Sequence, residues 1–264
     1  MYRYRTALCG LGRRTVVWLR RIVDRCCLER PPARHASRVS FHAGTILLTA
    51  FRARNRAIKE MTDRTSAGGV GVLTTDGIVA IVVAAASTEA FINELAENIG
   101  LYRQNAADWA PDAITPGMAA ASEAVFDLEF MHASVTEKYV AASGKLGGRF
   151  NKGGSVYQDF VRLIELRNAI MHIKPVRPGE THSGEAITEE LAHQRRAIRR
   201  EEIGGLLPWF DRLQTPATAR WACSSARTII LALLDLIPDT STDPLGLVQN
   251  FYRNHVGFQS EGWD

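Results

Sequence analysis

From about residue 76 onward the apolar residues recur at steps of three and four, with no sustained alternation in twos. Ile78, Ile81, Val82, Ala85, Ile92, Leu95, Ala96 and Ile99 set that rhythm, and Gly100 ends it. This spacing lines one face of a helix, and such a face must be buried against other helices. Thr115-Pro116 places a hydroxyl N-cap before a proline whose missing N–H costs a helix start nothing. The helix it opens is predicted to run to about Ala142, with Val125, Leu128, Met131, Val135 and Tyr139 inward and His132 as a satisfied core residue. A third helix carries Val156, Phe160, Leu163, Ile164, Leu166 and Ile170 and ends before Pro175. A polar linker at 176–187 leads to a charged helix from Thr188 to about Ile203, whose alternating arginines and glutamates read as a solvated face. Thr215-Pro216 opens a last helix that stops at Pro238. The predicted fold class is all-α, a bundle over residues 73–238 with a tail at 239–264.

Charge divides the chain more sharply than its overall +4 suggests. Residues 1–60 carry 13 Arg and 1 Lys against 3 acids, a net +11, while residues 61–264 carry 18 bases against 25 acids, a net −7. The basic pI therefore belongs to the first 60 residues and is no nucleic-acid footprint of the body. An Arg-rich, acid-poor leader of this kind fits a transit peptide, a basic nucleic-acid arm, or residues upstream of a later start. Residues 1–72 are expected to be a disordered leader or a mis-assigned start, and residues 1–60 to make few contacts with the bundle. Met61 is then a candidate start, and the Ser-Ala-Gly-Gly-Val-Gly stretch at 66–71 a flexible boundary.

Three of the four cysteines (Cys9, Cys26 and Cys27) lie in that leader, and only Cys223 lies beyond it. No Cys-x2-Cys pair exists and the histidines do not cluster at zinc spacings, so neither a metal site nor a cofactor is expected. A reducing cytoplasmic compartment is the simplest reading. The most apolar stretches, 78–92 and 228–237, are interrupted by Glu89 and Asp235 and read as core helices, with no membrane association expected.

The end of the third helix reads Leu163-Ile164-Glu165-Leu166-Arg167-Asn168-Ala169-Ile170-Met171-His172-Ile173-Lys174-Pro175. Arginine offers a planar, permanently charged donor fork suited to phosphate oxygens. Histidine is the side chain that exchanges a proton near neutral pH. On an ideal helix, Arg167 and His172 point about 140° apart, flanking a groove without stacking. The alternative is an ordinary amphipathic helix with an exposed arginine and a terminal histidine favoured by the dipole.

Arg167-Asn168-Ala169-Ile170-Met171-His172 resembles the signature of the HEPN superfamily, an Arg followed by a polar residue and, a few positions on, a His. The run Ala85-Ala86-Ser87-Thr88-Glu89-Ala90-Phe91-Ile92-Asn93-Glu94-Leu95 is similar to the opening helix of many of its members, with an acid and an Asn-Glu pair in an apolar stretch. The resemblance covers about residues 76–175. It implies a compact helical bundle that forms homodimers and, in active members, a metal-independent endoribonuclease. On that reading His172 is the general acid or base, Arg167 holds the scissile phosphate, and Asn168 orients the phosphate or His172, leaving a 2′,3′-cyclic phosphate. A defence or toxin–antitoxin context, RNA as substrate and an antitoxin-type protein partner follow from the same resemblance. The superfamily also includes non-catalytic modules that bind a nucleotide or a protein.

Glu89 falls on the apolar stripe of the first helix, where a carboxylate needs a partner. That partner is either Arg167, fixing its guanidinium, or another donor or open edge; Asn93, one turn on, could join the same cluster. The loop before the third helix offers five glycines with Lys145, Arg149 and Lys152. Its amides and cations suit an RNA backbone, and a solvated hairpin between helices is the plainer reading.

Overall fold

The computed structural model of the chain describes residues 42–66, 73–104, 114–172, 180–199, 207–238 and 252–253. Among them are helices and no strand: α1 (His42–Ser66), α2 (Thr75–Gln104), α3 (Pro116–Phe130), α4 (Val135–Lys145), α5 (Ser155–Met171), α6 (Ser183–His193), α7 (Trp209–Arg212) and α8 (Pro216–Leu234). The all-α reading holds for these residues.

The 30-residue α2 is the centre of the bundle, and α1, α3, α4, α5 and α8 all pack on it. It is long and apolar enough to cross a membrane by length and composition, with a mean hydropathy of 1.6 over its most apolar window. Small residues at Ala80, Ala84, Ala85, Ser87 and Thr88 let neighbouring helices come close. The two hydroxyls bond back to Ala84 O at 2.6 Å and Ala85 O at 2.7 Å, so their burial leaves no polar atom unmet. Near its start, a Cβ on Gly77 would stand 3.0 Å from the carbonyl oxygen of Leu213, so the turn before α8 rests directly on α2's backbone.

Residues 42–60, counted above with the basic leader, are part of the bundle. They form most of α1, which buries Ala43, Leu47, Ala50, Phe51, Ala53 and Ala57 against α2 and α8. The domain therefore begins by His42 and not at 73. Alanine at four of these six positions hid the stripe, because it carries little hydrophobic weight while still packing closely. The nearby arginines are accommodated individually. Arg56 makes a two-pronged bond to Asp76 at 2.7 and 3.0 Å, and Arg54 lies 4.9 Å above the Phe51 ring. Residues 1–41, residues 67–72 with all of the expected flexible boundary but Ser66, and the tail apart from residues 252–253 lie outside the described residues.

The two Thr-Pro starts behave as read. Thr115 accepts from Met118 N at 3.2 Å, and Thr215 from Thr218 N at 3.0 Å. The helix expected to continue to Ala142 is broken, however. It stops at Phe130, His132 takes a left-handed φ of 55°, and α4 restarts behind Ser134. Ser134 and Glu137 form a reciprocal capping box, a start signal that outweighs continuing apolar periodicity. His132 and Met131 are consequently exposed at a corner and are not core residues. The charged helix starts earlier than expected, at Ser183 behind a His182 cap, and ends at His193 before the left-handed Arg195.

Nor is that helix only a solvated face. Arg162 pairs with Glu190, and Arg196 with Asp159 at 2.9 Å. Arg212, only 1% exposed, grips Glu189 at 2.6 and 3.1 Å and donates to Ile198 O at 2.8 Å. These pairs tie α6 and the turn after it to α5 and α7.

At the start of α1 a buried carboxylate replaces the usual cap. Glu94 of α2 accepts from the backbone amides of His42 at 2.6 Å and Ala43 at 3.1 Å, and from the hydroxyl of Tyr252. Burial raises its carboxyl above the ordinary glutamate range, while the Tyr252 hydroxyl and the two amides pull it back down. The folded protein thus holds this proton more tightly than the unfolded chain, so the group's contribution is complete below the ordinary value of 4.5 and is lost as pH rises through the raised value. The advantage of the wild type over Glu94→Gln in thermal melts is expected to be largest near that lower limit and to shrink toward neutral pH. An advantage that grows with pH would show that the carboxylate's hydrogen bonds, and not its burial, dominate.

Candidate functional site

The site is built where the last turns of α5 meet the middle of α2. Leu163, Leu166 and Ala169 bury one side of α5, which leaves Arg167 and Asn168 at the margin of the packed face and His172 past the last turn. Arg167 donates from Nη2 to Glu89 Oε2 at 2.9 Å and from Nη1 to Asn168 Oδ1 at 3.0 Å. The Arg167 side chain is 29% exposed and that of Glu89 39%. The guanidinium is therefore held from both sides yet keeps a face to solvent. A surface pair of this kind contributes little stability, about 0–1 kcal/mol, and what it supplies is orientation of the fork.

His172 is the C-cap of α5, with φ −128° and ψ 56°, and its backbone N–H donates to Asn168 O at 2.9 Å. Because this residue has left helical geometry, the 140° of an ideal helix does not describe its side chain. The imidazole is exposed. Lys174 and Pro175, which set the expected stop, lie outside the described residues.

One turn along α2 from Glu89, Asn93 accepts from Lys138 Nζ of α4 at 3.2 Å, and the same ammonium pairs with Glu129 at the end of α3. The Lys138 side chain is only 3% exposed. The sequence reading missed this lysine. Its signal was position, since Lys138 sits between Val135 and Tyr139, both on the buried side of α4. Residues four apart on a helix are surface neighbours, so Glu89–Arg167 and Asn93–Lys138 stand side by side. Four helices thus converge on one polar strip, with Glu89 and Asn93 from α2, Glu129 from α3, Lys138 from α4 and Arg167 from α5. Tyr139 bonds Thr88 O at 3.0 Å and anchors α4 beneath the strip.

The basic loop is not part of this arrangement. Lys145 closes α4, and Arg149 and Lys152 follow in the connection to α5, all three exposed. They sit at the beginning of α5, whereas Arg167 and His172 sit at its end. The 17 residues of α5, at about 1.5 Å each, put roughly 25 Å between the two. Among the described residues no three His, Cys, Asp or Glu side chains are grouped so as to hold a metal ion.

No family model, no curated protein and no solved structure matches the chain.

Proposed function

We propose that the chain is a HEPN-like, metal-independent endoribonuclease acting through Arg167 and His172. The observation that carries this reading is the Glu89–Arg167 ion pair at 2.9 Å, which fixes a solvent-facing guanidinium five residues before an exposed histidine on one helix. A fork held by Glu89 and Asn168 is preorganised for a phosphodiester, since nothing need reorganise as charge builds on the phosphate. His172, exposed and free of side-chain partners among the described residues, moves the proton at the ribose 2′-hydroxyl or the leaving oxygen. Apolar surface beside the strip favours a homodimer. Phe130 is 86% exposed and follows Glu129, with Met131 next to it, while Met171 precedes His172. Two copies meeting there would bring two Arg–His sets together.

The test is RNA cleavage by the purified full chain, with and without a chelator. Cleavage that survives chelation and ends in a 2′,3′-cyclic phosphate is expected. Arg167→Lys keeps the charge but loses the fork, so the cleavage rate should fall by about 10²-fold or more, the scale of a lost preorganised donor. Glu89→Gln should lower the rate less, with melting nearly unchanged. An Arg167→Lys protein as active as the wild type would remove the phosphate-holding role, and a wild type that cleaves no RNA would leave a binding module.

A further inference from the structure

A second site lies at the other end of α5. Its first turn and the outer side of α8 enclose a groove of about 410 Å³, walled by Ser155, Asp159, Arg196, Arg220, Trp221 and Ser224. The backbone amides opening α5 have no side-chain cap, because Gly154 occupies the N-cap position. These N–H groups and the positive end of the dipole suit an anion. Trp221 is 5% exposed, and its Nε1–H is a buried donor with no hydrogen-bond partner. Unmet buried donors are uncommon and call for an acceptor.

The charges point the same way. Asp159, the acid of the groove, is already held by Arg196 at 2.9 Å and Arg162 at 3.7 Å. Arg220 is exposed and has no ion-pair partner among the described residues. Arg149 and Lys152, exposed in the connection just before Ser155, add to the positive field. Ser155 and Ser224 supply hydroxyls whose donor and acceptor capacity is uncommitted among the described residues.

We propose that this groove binds a small phosphomonoester, with the phosphate between Arg220 and the first amides of α5 and the ester portion along the serines. The volume exceeds what a lone phosphate fills, so an ester should bind more tightly than the inorganic ion. The site is independent of the Arg167–His172 strip, so the two assignments can fail separately.

Calorimetric titration of the full chain with ribose 5-phosphate, inorganic phosphate and ribose tests it. The expected order is ribose 5-phosphate tightest, phosphate weaker and ribose undetectable, with Arg220→Gln weakening the ester by about tenfold, the size of one lost charge-assisted bond. Arg220 is exposed, so this variant keeps the fold, and His172→Ala should bind the ester unchanged. Ester binding weaker than about 1 mM, equal binding of ester and free phosphate, or undiminished affinity in Arg220→Gln would each overturn the proposal.

Discussion

Deleting residues 1–60 is expected to abolish the cooperative thermal transition. The charge pattern alone forecasts the opposite, a dispensable leader ahead of Met61. The deletion removes α1 except for residues 61–66, and with it Leu47, Phe51 and four buried alanines. Burying Leu and Phe side chains is worth about 1.5–3 kcal/mol each, against a total of roughly 5–15 kcal/mol for a domain. The loss also strips cover from one side of α2 and α8, whose apolar residues would then meet water. Glu94 would be left in a half-open pocket without the two amides it accepts from. Circular-dichroism melting of the chain beginning at Met61 reads this directly. A transition within a degree or two of the full chain would return residues 42–60 to the leader.

The second large effect is chemical. His172→Ala should reduce RNA cleavage by about 10²- to 10⁴-fold, the usual weight of a positioned acid–base group. Stability should change by less than about 0.5 kcal/mol, as for an ordinary surface substitution. The separation is clean because the fold uses only the backbone of this residue, through its N–H to Asn168 O, which alanine keeps. Rate and melting temperature measured on the same preparation check it. Cleavage unchanged in His172→Ala would mean that another group moves the proton.

Legibility in the sequence followed hydrophobic weight. α2, α5 and α8 carry leucines, isoleucines and phenylalanines at helical spacing, and the Thr-Pro starts of α3 and α8 added backbone chemistry to the pattern. α1 was obscured because Ala43, Ala50, Ala53 and Ala57 pack through shape and carry little apolar signal, while its arginines shifted attention to charge. The break at His132 was written in Ser134-x-x-Glu137, a local cap that outcompetes continued periodicity. In the site, Arg167 was one of two partners open to Glu89, because a carboxylate on an apolar stripe requires a donor or an open edge; the structure pairs the two at a part-exposed position. Lys138 could not be named, since Asn93 lies 45 positions before it and meets it only through the packing of α4 on α2, while Glu129 reaches it across the α3–α4 corner. Likewise the distance between the basic loop and His172 is a property of helix length, which nearness in sequence conceals.

The carboxylate of Glu94 has a consequence for how the molecule opens. Tyr252 reaches it from 158 positions further along the chain, and its ring packs edge-on against Phe91 at 4.9 Å. The first turn of α1 and the Tyr252 segment therefore share one anchor. Fraying of either removes a partner that the other needs, so amide exchange at the first turn of α1 and at Tyr252 is expected to rise and fall together while the interior of α2 stays protected.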